Sequence, residues 1–275
     1  MHIAHLFRAG LVALAGLLAG CSPTRLLDAV TPAGEYRLER DLAYGEHPRQ
    51  RLDIYHPAGE DRGIVIVFYY GGSWRFGDRA GYRFVAESLT RRGITVVIPD
   101  YRLHPEIVFP AFVEDGAMAL RWVRDNRVKP GARVFVMGHS AGAHIAALLA
   151  LDPRYQAHQG MAGLIGIAGP YDFLPMTAPR TRAVFGALAD DPVTQPITFA
   201  NPAAPPALLI HGATDTTVYP RNSRNLAAAL RAAGAPASLS LYPDRGHVDI
   251  MLGLSSVLAG DGRMMSELMS FLGSP

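Results

Sequence analysis

The chain has a single cysteine in 275 residues and a single lysine, Lys129. One cysteine excludes internal disulfides and any metal site built from several thiolates. Charge is also sparse: Asp, Glu, Lys and Arg make up 18% of the residues and the formal net charge is +2. The positive charge is almost all arginine and is scattered, so the clustered basic surface that a nucleic acid requires is missing. The apolar run from Ala9 to Gly20 is twelve residues long, too short to span a bilayer, which takes about 20. What the chain has in quantity is apolar character, 49% of its residues. That is enough to bury one large core, and chains of this length commonly form one α/β domain.

The cysteine is informative by its position. His2, His5 and Arg8 precede the apolar run, and Leu18-Ala19-Gly20 leads into Cys21 and Ser22. Residues 1–20 read as a secretory signal. The junction resembles the bacterial lipoprotein processing box, in which small residues precede a cysteine that is lipidated and becomes the new N-terminus. That resemblance implies a lipid anchor at Cys21 and an envelope location, with Ser22 as in proteins sent to the outer membrane. Residues 21–35, with Pro23, Pro32 and Gly34 and no hydrophobic period, are expected to be a tether.

From residue 36 onward, apolar runs alternate with helical patterns. Tyr36 to Tyr44 and Arg51 to Tyr55 alternate apolar and polar residues around Gly45 and Pro48, predicting a hairpin-like pair at a sheet edge. Ile64 to Tyr70, Ile94 to Ile98, Val134 to Met137, Leu164 to Ala168, Ala207 to Ile210 and Ser238 to Tyr242 read as further strands. Helices are predicted over Tyr82 to Arg92, Phe112 to Val128, Ala141 to Ala150, Arg221 to Ala233 and Arg263 to Leu272. Uniformly apolar strands separated by helices specify an α/β fold, an eight-stranded, mostly parallel sheet with helices on both faces. The proline-rich stretch 170–206 reads as an irregular insertion or lid. The domain therefore covers 36–275.

The densest chemistry lies at Gly138-His-Ser140-Ala-Gly142. A strand runs into this sequence and a helix leaves it, so Ser140 sits on a sharp corner that lifts its hydroxyl clear of the sheet. Small residues two places to either side let strand and helix pass closely. The amide of Ala141 then points to where negative charge would develop on a substrate. A serine needs a base, and the base needs a carboxylate. In open α/β sheets such groups gather at the carboxyl ends of strands. Asp215 follows the strand ending at Ile210, and His247 follows the strand ending at Tyr242, giving the chain order Ser140, Asp215, His247. His139 is expected to point away from the corner, His144 to lie down the helix, and His211 to be a packed residue beneath Asp215. Asp172, Asp190 and Asp191 fall in the irregular stretch, and Asp244 and Asp249 adjoin His247 too closely to reach around its ring. Asp100 and Asp115 are expected to brace loops. The glycine turn Gly71-Gly72-Ser73-Trp74 follows another strand, so the amides of Gly72 and Ser73 are candidates for further oxyanion donors, with Gly71 shaping the turn. Trp74 and Phe76 fit either loop packing or a substrate-pocket wall.

These segments resemble the α/β-hydrolase superfamily, close to hormone-sensitive-lipase-like carboxylesterases and kynurenine-formamidase-like enzymes, with feruloyl and acetyl-xylan esterases as further relatives. The matching stretches are Tyr70-Gly-Gly-Ser-Trp74, Asp100-Tyr-Arg-Leu-His-Pro-Glu106, Phe109-Pro-Ala111 with Asp115, Gly138 to His144, Gly169-Pro-Tyr-Asp172, His211-Gly-Ala-Thr-Asp215 and Gly246-His247. The resemblance implies hydrolysis of a small-molecule carboxylic ester through an acyl-enzyme, without a cofactor. Two alternatives stay open: an arylformamidase using the same three residues, and a catalytically silent hydrolase fold at the envelope. Two positions depart from the family pattern. Tyr70 replaces the histidine of His-Gly-Gly, and Ser73 replaces a third glycine. A peptidase is disfavoured, because peptide-cleaving relatives carry an extra gating domain.

Overall fold

Strand β3 (Ile64–Tyr69) is buried at every residue, as are β4 (Ile94–Pro99) and β7 (Ala207–Gly212). Such strands must be covered on both faces, and none of them lies at an edge of the sheet. The computed structural model describes residues 23–273; the expected signal peptide and Cys21 lie outside the described residues. With β1 (Tyr36–Ala43), β2 (Arg51–Pro57), β5 (Arg133–His139), β6 (Met161–Ile167) and β8 (Ala237–Tyr242), the strands order as β1-β2-β4-β3-β5-β6-β7-β8. β2 runs antiparallel to both β1 and β4, and every other pair is parallel. The edge hairpin and the eight-stranded α/β sheet are thus as the sequence predicts.

The helices between strands are α2 (Arg83–Thr90), α3 (Ala111–Arg127), α4 (Ala141–Leu151) and α6 (Arg221–Ala232), with α7 (Arg263–Gly273) last. The chain steps one way from β3 to β4 and the opposite way from β4 onward. Right-handed crossovers therefore place α2 on one face and α3, α4 and α6 on the other. Because β3 and β5 are neighbours and their following helices leave to opposite faces, a crevice opens beyond their carboxyl ends. That topology alone locates the site.

Two expectations need correction. Residues 23–30 form a helix, α1 (Pro23–Val30), rather than part of a tether. Leu27 is buried, the Asp28 carboxylate accepts from the Phe84 amide at 3.1 Å, and Arg83 donates to the carbonyls of Asp28, Thr31 and Pro32. Two turns are too few to display a hydrophobic period, and so short a helix is held by its docking rather than by propensity. The 170–206 stretch contains α5 (Pro179–Phe185) and one-turn helices at Gly186–Leu188, Pro192–Thr194 and Pro196–Phe199. Val184 and Phe185 bury into the domain, so the stretch is packed wall. Among the described residues, no helix is long and apolar enough to cross a membrane.

Candidate active site

The corner between β5 and α4 is as tight as its glycines require. A β-carbon on Gly138 would lie 2.3 Å from the Gly142 carbonyl oxygen, and one on Gly142 would lie 2.0 Å from the Tyr69 oxygen. No side chain fits at either place. Between them, Ser140 is held at φ 54°, ψ −122°, a strained conformation for a residue with a β-carbon. Its amide donates to the Ile167 carbonyl at 2.9 Å, which ties the corner to β6. Ala141 is the first residue of α4, where amides have no partner within the helix and the helix dipole favours negative charge.

The structure brings Ser140, His247 and Asp215 together, though they are 32 to 107 residues apart in sequence. Ser140 Oγ is 2.8 Å from His247 Nε2, and His247 Nδ1 is 2.7 Å from Asp215 Oδ2. A carboxylate only accepts, so Nδ1 carries the proton and Nε2 is left free to accept from the serine. The hydroxyl and the imidazole sit at the surface of the crevice, Ser140 with 8% of its area exposed, while Asp215 is fully covered. Burial by itself raises the Asp215 pKa. Hydrogen bonds from His211, His247 and the Val218 amide outweigh it and hold the carboxyl well below the usual carboxylate range. Oδ1 accepts from the amides of Thr217 and Val218 at 2.8 and 2.9 Å.

The glycine turn after β3 lies against the serine. A β-carbon on Gly71 would sit 3.0 Å from Ser140 Cβ. Gly72, Ser73 and Trp74 then have φ of 135°, 52° and 58°. This left-handed run turns the chain over, with the Gly72 carbonyl accepting from the Arg75 and Phe76 amides. Tyr70, the departure from the histidine pattern, is fully buried and stacked between Tyr82 and Tyr101. Burial keeps its phenol protonated. The hydroxyl donates to Asp100 Oδ1 at 2.9 Å and accepts from Arg49 at 2.7 Å. Asp100 also takes the amide and guanidinium of Arg79, and Asp115 takes Arg102 and Gln50. Both aspartates brace loops. Trp74 is buried among Phe112, His144, Phe173 and Phe185, with ring centroids 5.0–6.3 Å apart, whereas Phe76 is 66% exposed.

Of the histidines set aside from sequence, His144 is indeed structural: it is buried on α4 with Nε2 donating to the Thr194 carbonyl. His139 does not point away. Its Nε2 donates to the His247 carbonyl at 2.9 Å and its ring lies 5.1 Å from the imidazole. Burial first, then the neighbouring His247, lowers its pKa to about 3, so it stays neutral. His211 is packed beneath Asp215 as expected, but it also touches the carboxylate, with Nε2 at 3.2 Å from Oδ2. Asp249 stays off the imidazole; its Oδ1 accepts from the Gly246 amide at 2.6 Å and so shapes the turn that carries His247. The supporting parts of His139, His211 and Asp249 were missed from sequence, because they depend on which way each ring and carboxylate turns. Asp190 pairs with Arg182, Asp191 takes the Val193 amide, and Asp172 binds Asn225, all apart from the array. Among the described residues, no group of three or more His, Cys, Asp or Glu is placed to hold a metal ion.

A sequence model of the family described as BD-FAE matches residues 52–230. An isoprenylcysteine alpha-carbonyl methylesterase of Arabidopsis thaliana is 30% identical over 250 residues, covering 78% of this chain and 58% of that protein. Esterase LipC of Mycobacterium tuberculosis is 32% identical over 227 residues, covering 72% of this chain and 56% of that protein. The chain thus spans rather more than half the length of these relatives. A truncated carbohydrate esterase from gut microbiota superposes with a TM-score of 0.76 at 21% identity, over 89% of this chain and 99% of that one. Esterase B from Lactobacillus rhamnosis superposes with a TM-score of 0.75 at 19% identity, over 98% and 96%. At such identities the likeness is one of fold.

Proposed function

Because the chain belongs to the BD-FAE family and has the α/β-hydrolase fold, we propose that it is a carboxylesterase-type serine hydrolase acting on small-molecule carboxylic esters. The observation that carries this reading is the strained Ser140 with its hydroxyl 2.8 Å from an imidazole that is held by a buried carboxylate. Esterase names among the relatives support it.

In the proposed reaction Ser140 Oγ attacks the acyl carbonyl while His247 Nε2 takes its proton. Asp215 steadies the imidazolium that forms. The carbonyl oxygen becomes an oxyanion, and the amides of Gly72 and Ser73 on the turn after β3 and of Ala141 at the start of α4 are the donors proposed to receive it. The tetrahedral adduct collapses, the alcohol leaves with the proton from His247, and an acyl ester remains on Ser140. Water, deprotonated by the same imidazole, then releases the acid. Each proton that His247 accepts is returned within the cycle, so no cofactor is consumed.

A fluorophosphonate probe tests the reading directly. It should label Ser140, and Ser140→Ala should both abolish labelling and lower p-nitrophenyl acetate hydrolysis by roughly three orders of magnitude or more. A folded, unlabelled wild-type protein with no esterase turnover would overturn it in favour of a silent fold. N-formylkynurenine, assayed alongside, separates the formamidase alternative.

We further propose that the chain is anchored to the cell envelope by a lipid on Cys21, with the domain on the periplasmic or outer side. Support comes from the sequence Leu18-Ala19-Gly20-Cys21 after an apolar run. A fatty-acid label should enter the wild-type chain and be absent from Cys21→Ser; equal labelling would sink the anchor.

A further inference from the structure

His211 lies at the end of β7, four residues before Asp215, with no exposed surface. Its ring has a partner on every polar edge. Nε2 is 2.8 Å from the Val218 carbonyl and 3.2 Å from Asp215 Oδ2, while Nδ1 is 2.7 Å from Ser223 Oγ on α6. A carbonyl cannot donate, so Nε2 bears the proton and shares it between the carbonyl and the carboxylate. Ser223 must then donate to Nδ1, which fixes that tautomer. The oxygen that His211 reaches is the same Oδ2 that receives the Nδ1–H of His247 at 2.7 Å. Asp215 Oδ2 is therefore gripped by two imidazoles, one in the reacting array and one behind it.

We propose that His211 is a positioning residue for the Ser140–His247–Asp215 array, holding Asp215 Oδ2 with a second imidazole N–H and thereby setting how firmly the carboxylate retains a proton on His247. The inference rests on the hydrolase reading for its consequence to turnover, but the coupling itself is a property of the resting protein. A carboxylate that accepts an extra hydrogen bond is a weaker acceptor for the next. Without His211, Oδ2 has only His247 to satisfy, and it holds the imidazolium form more tightly. The base then surrenders its proton less readily and is protonated at a higher pH. Ser223 from α6 and His139 from the end of β5, which burial keeps uncharged, also face this cluster. The Asp249 carboxylate lies beside it on the Gly246 amide in the turn that carries His247, and is unchanged in each variant compared below.

The test compares His211→Leu, which removes the donor, with His211→Gln, whose amide can still donate toward Oδ2 and accept from Ser223. In the leucine variant the acid limb of kcat/KM should move upward by about half to one pH unit and kcat should fall by about tenfold. The glutamine variant should return the limb to its wild-type position. The same displacement should appear without turnover, in the pH midpoint at which the low-field Nδ1–H resonance of His247 changes its chemical shift in Ser140→Ala protein. An upward shift in that resonance without esterase activity would uphold the coupling while the hydrolase reading failed. A profile and resonance that superpose on wild type in folded His211→Leu would overturn the inference. Should that variant not fold, Ser223→Ala, which releases the tautomer, should shift the limb in the same direction by a smaller amount, and an unmoved limb there would overturn it too.

Discussion

Tyr70 stands where the family resemblance leads one to expect a histidine, and its surroundings show how a phenol can fill that place. The hydroxyl links Asp100, at the end of β4, to Arg49, whose guanidinium also donates to the carbonyls of Tyr101 and Gly77. The strand ends of β3 and β4 and the close of the glycine turn are thereby joined through one oxygen. Tyr70→Phe keeps the stacked ring and removes only that link. Asp100 retains Arg79, so no buried charge is stranded. Stability should fall by about 2–3 kcal/mol, as for two lost hydrogen bonds whose charged partners keep other contacts. If the turn carries the proposed oxyanion donors, which act on the transition state, kcat should fall by about tenfold with KM little changed. Urea denaturation and steady-state kinetics measure the two effects; a stability loss with unaltered kcat would show that Tyr70 braces the fold but not the turn. At this scale the three side chains of the Ser140–His247–Asp215 array were legible, because each sits in a short motif just after an apolar strand. The braces were not, since Arg49, Tyr70 and Asp100 meet only once three separate segments have folded.

Among the elements, the long apolar strands declared themselves because burial on both faces leaves no room for polar residues, and α3 did so by its helical spacing. The amino-terminal stretch did not. Prolines and a missing period suggested a tether where α1 lies docked, with Asp28 capping the first turn of α2. That cap comes from 56 residues away along the chain, so no local pattern around Arg83 announces it. Asp28→Ala should cost about 1 kcal/mol through loss of the cap, and more as Arg83 loses its carboxylate partner. Thermal denaturation of the domain reads this directly; an unchanged midpoint would restore the tether. The 170–206 segment was misjudged for a related reason. Proline breaks long helices but suits the first turn of short ones, and α5 and two of the one-turn helices begin with proline.

On the scale of the whole molecule, two histidines buried as neutral rings tie folding to pH. Burial lowers His139 to about 3 and His144 to about 4, and in each case a backbone hydrogen bond only partly offsets it. In the unfolded chain an ordinary histidine takes up its proton near pH 6.5. The folded state therefore has its full advantage above that value and loses it as pH falls, until the folded-state rings themselves protonate. At pH 5 each ring removes roughly 2 kcal/mol, a large share of the 5–15 kcal/mol typical of a domain. Asp215, held below the usual carboxylate range, adds a further loss only below about pH 4, where carboxylates of the unfolded chain protonate. The urea midpoint should thus fall steeply between pH 7 and 5, before acid reaches the carboxylates. His144→Gln can keep an N–H toward the Thr194 carbonyl but cannot take a proton. Its stability should therefore change less over that interval, by about 2 kcal/mol, whatever its stability at pH 7. An interval identical to wild type would mean that the His144 ring takes up its proton as readily in the folded protein as in the unfolded chain. That would contradict a side chain sealed among Trp74, Phe112 and Phe185 with a single carbonyl partner.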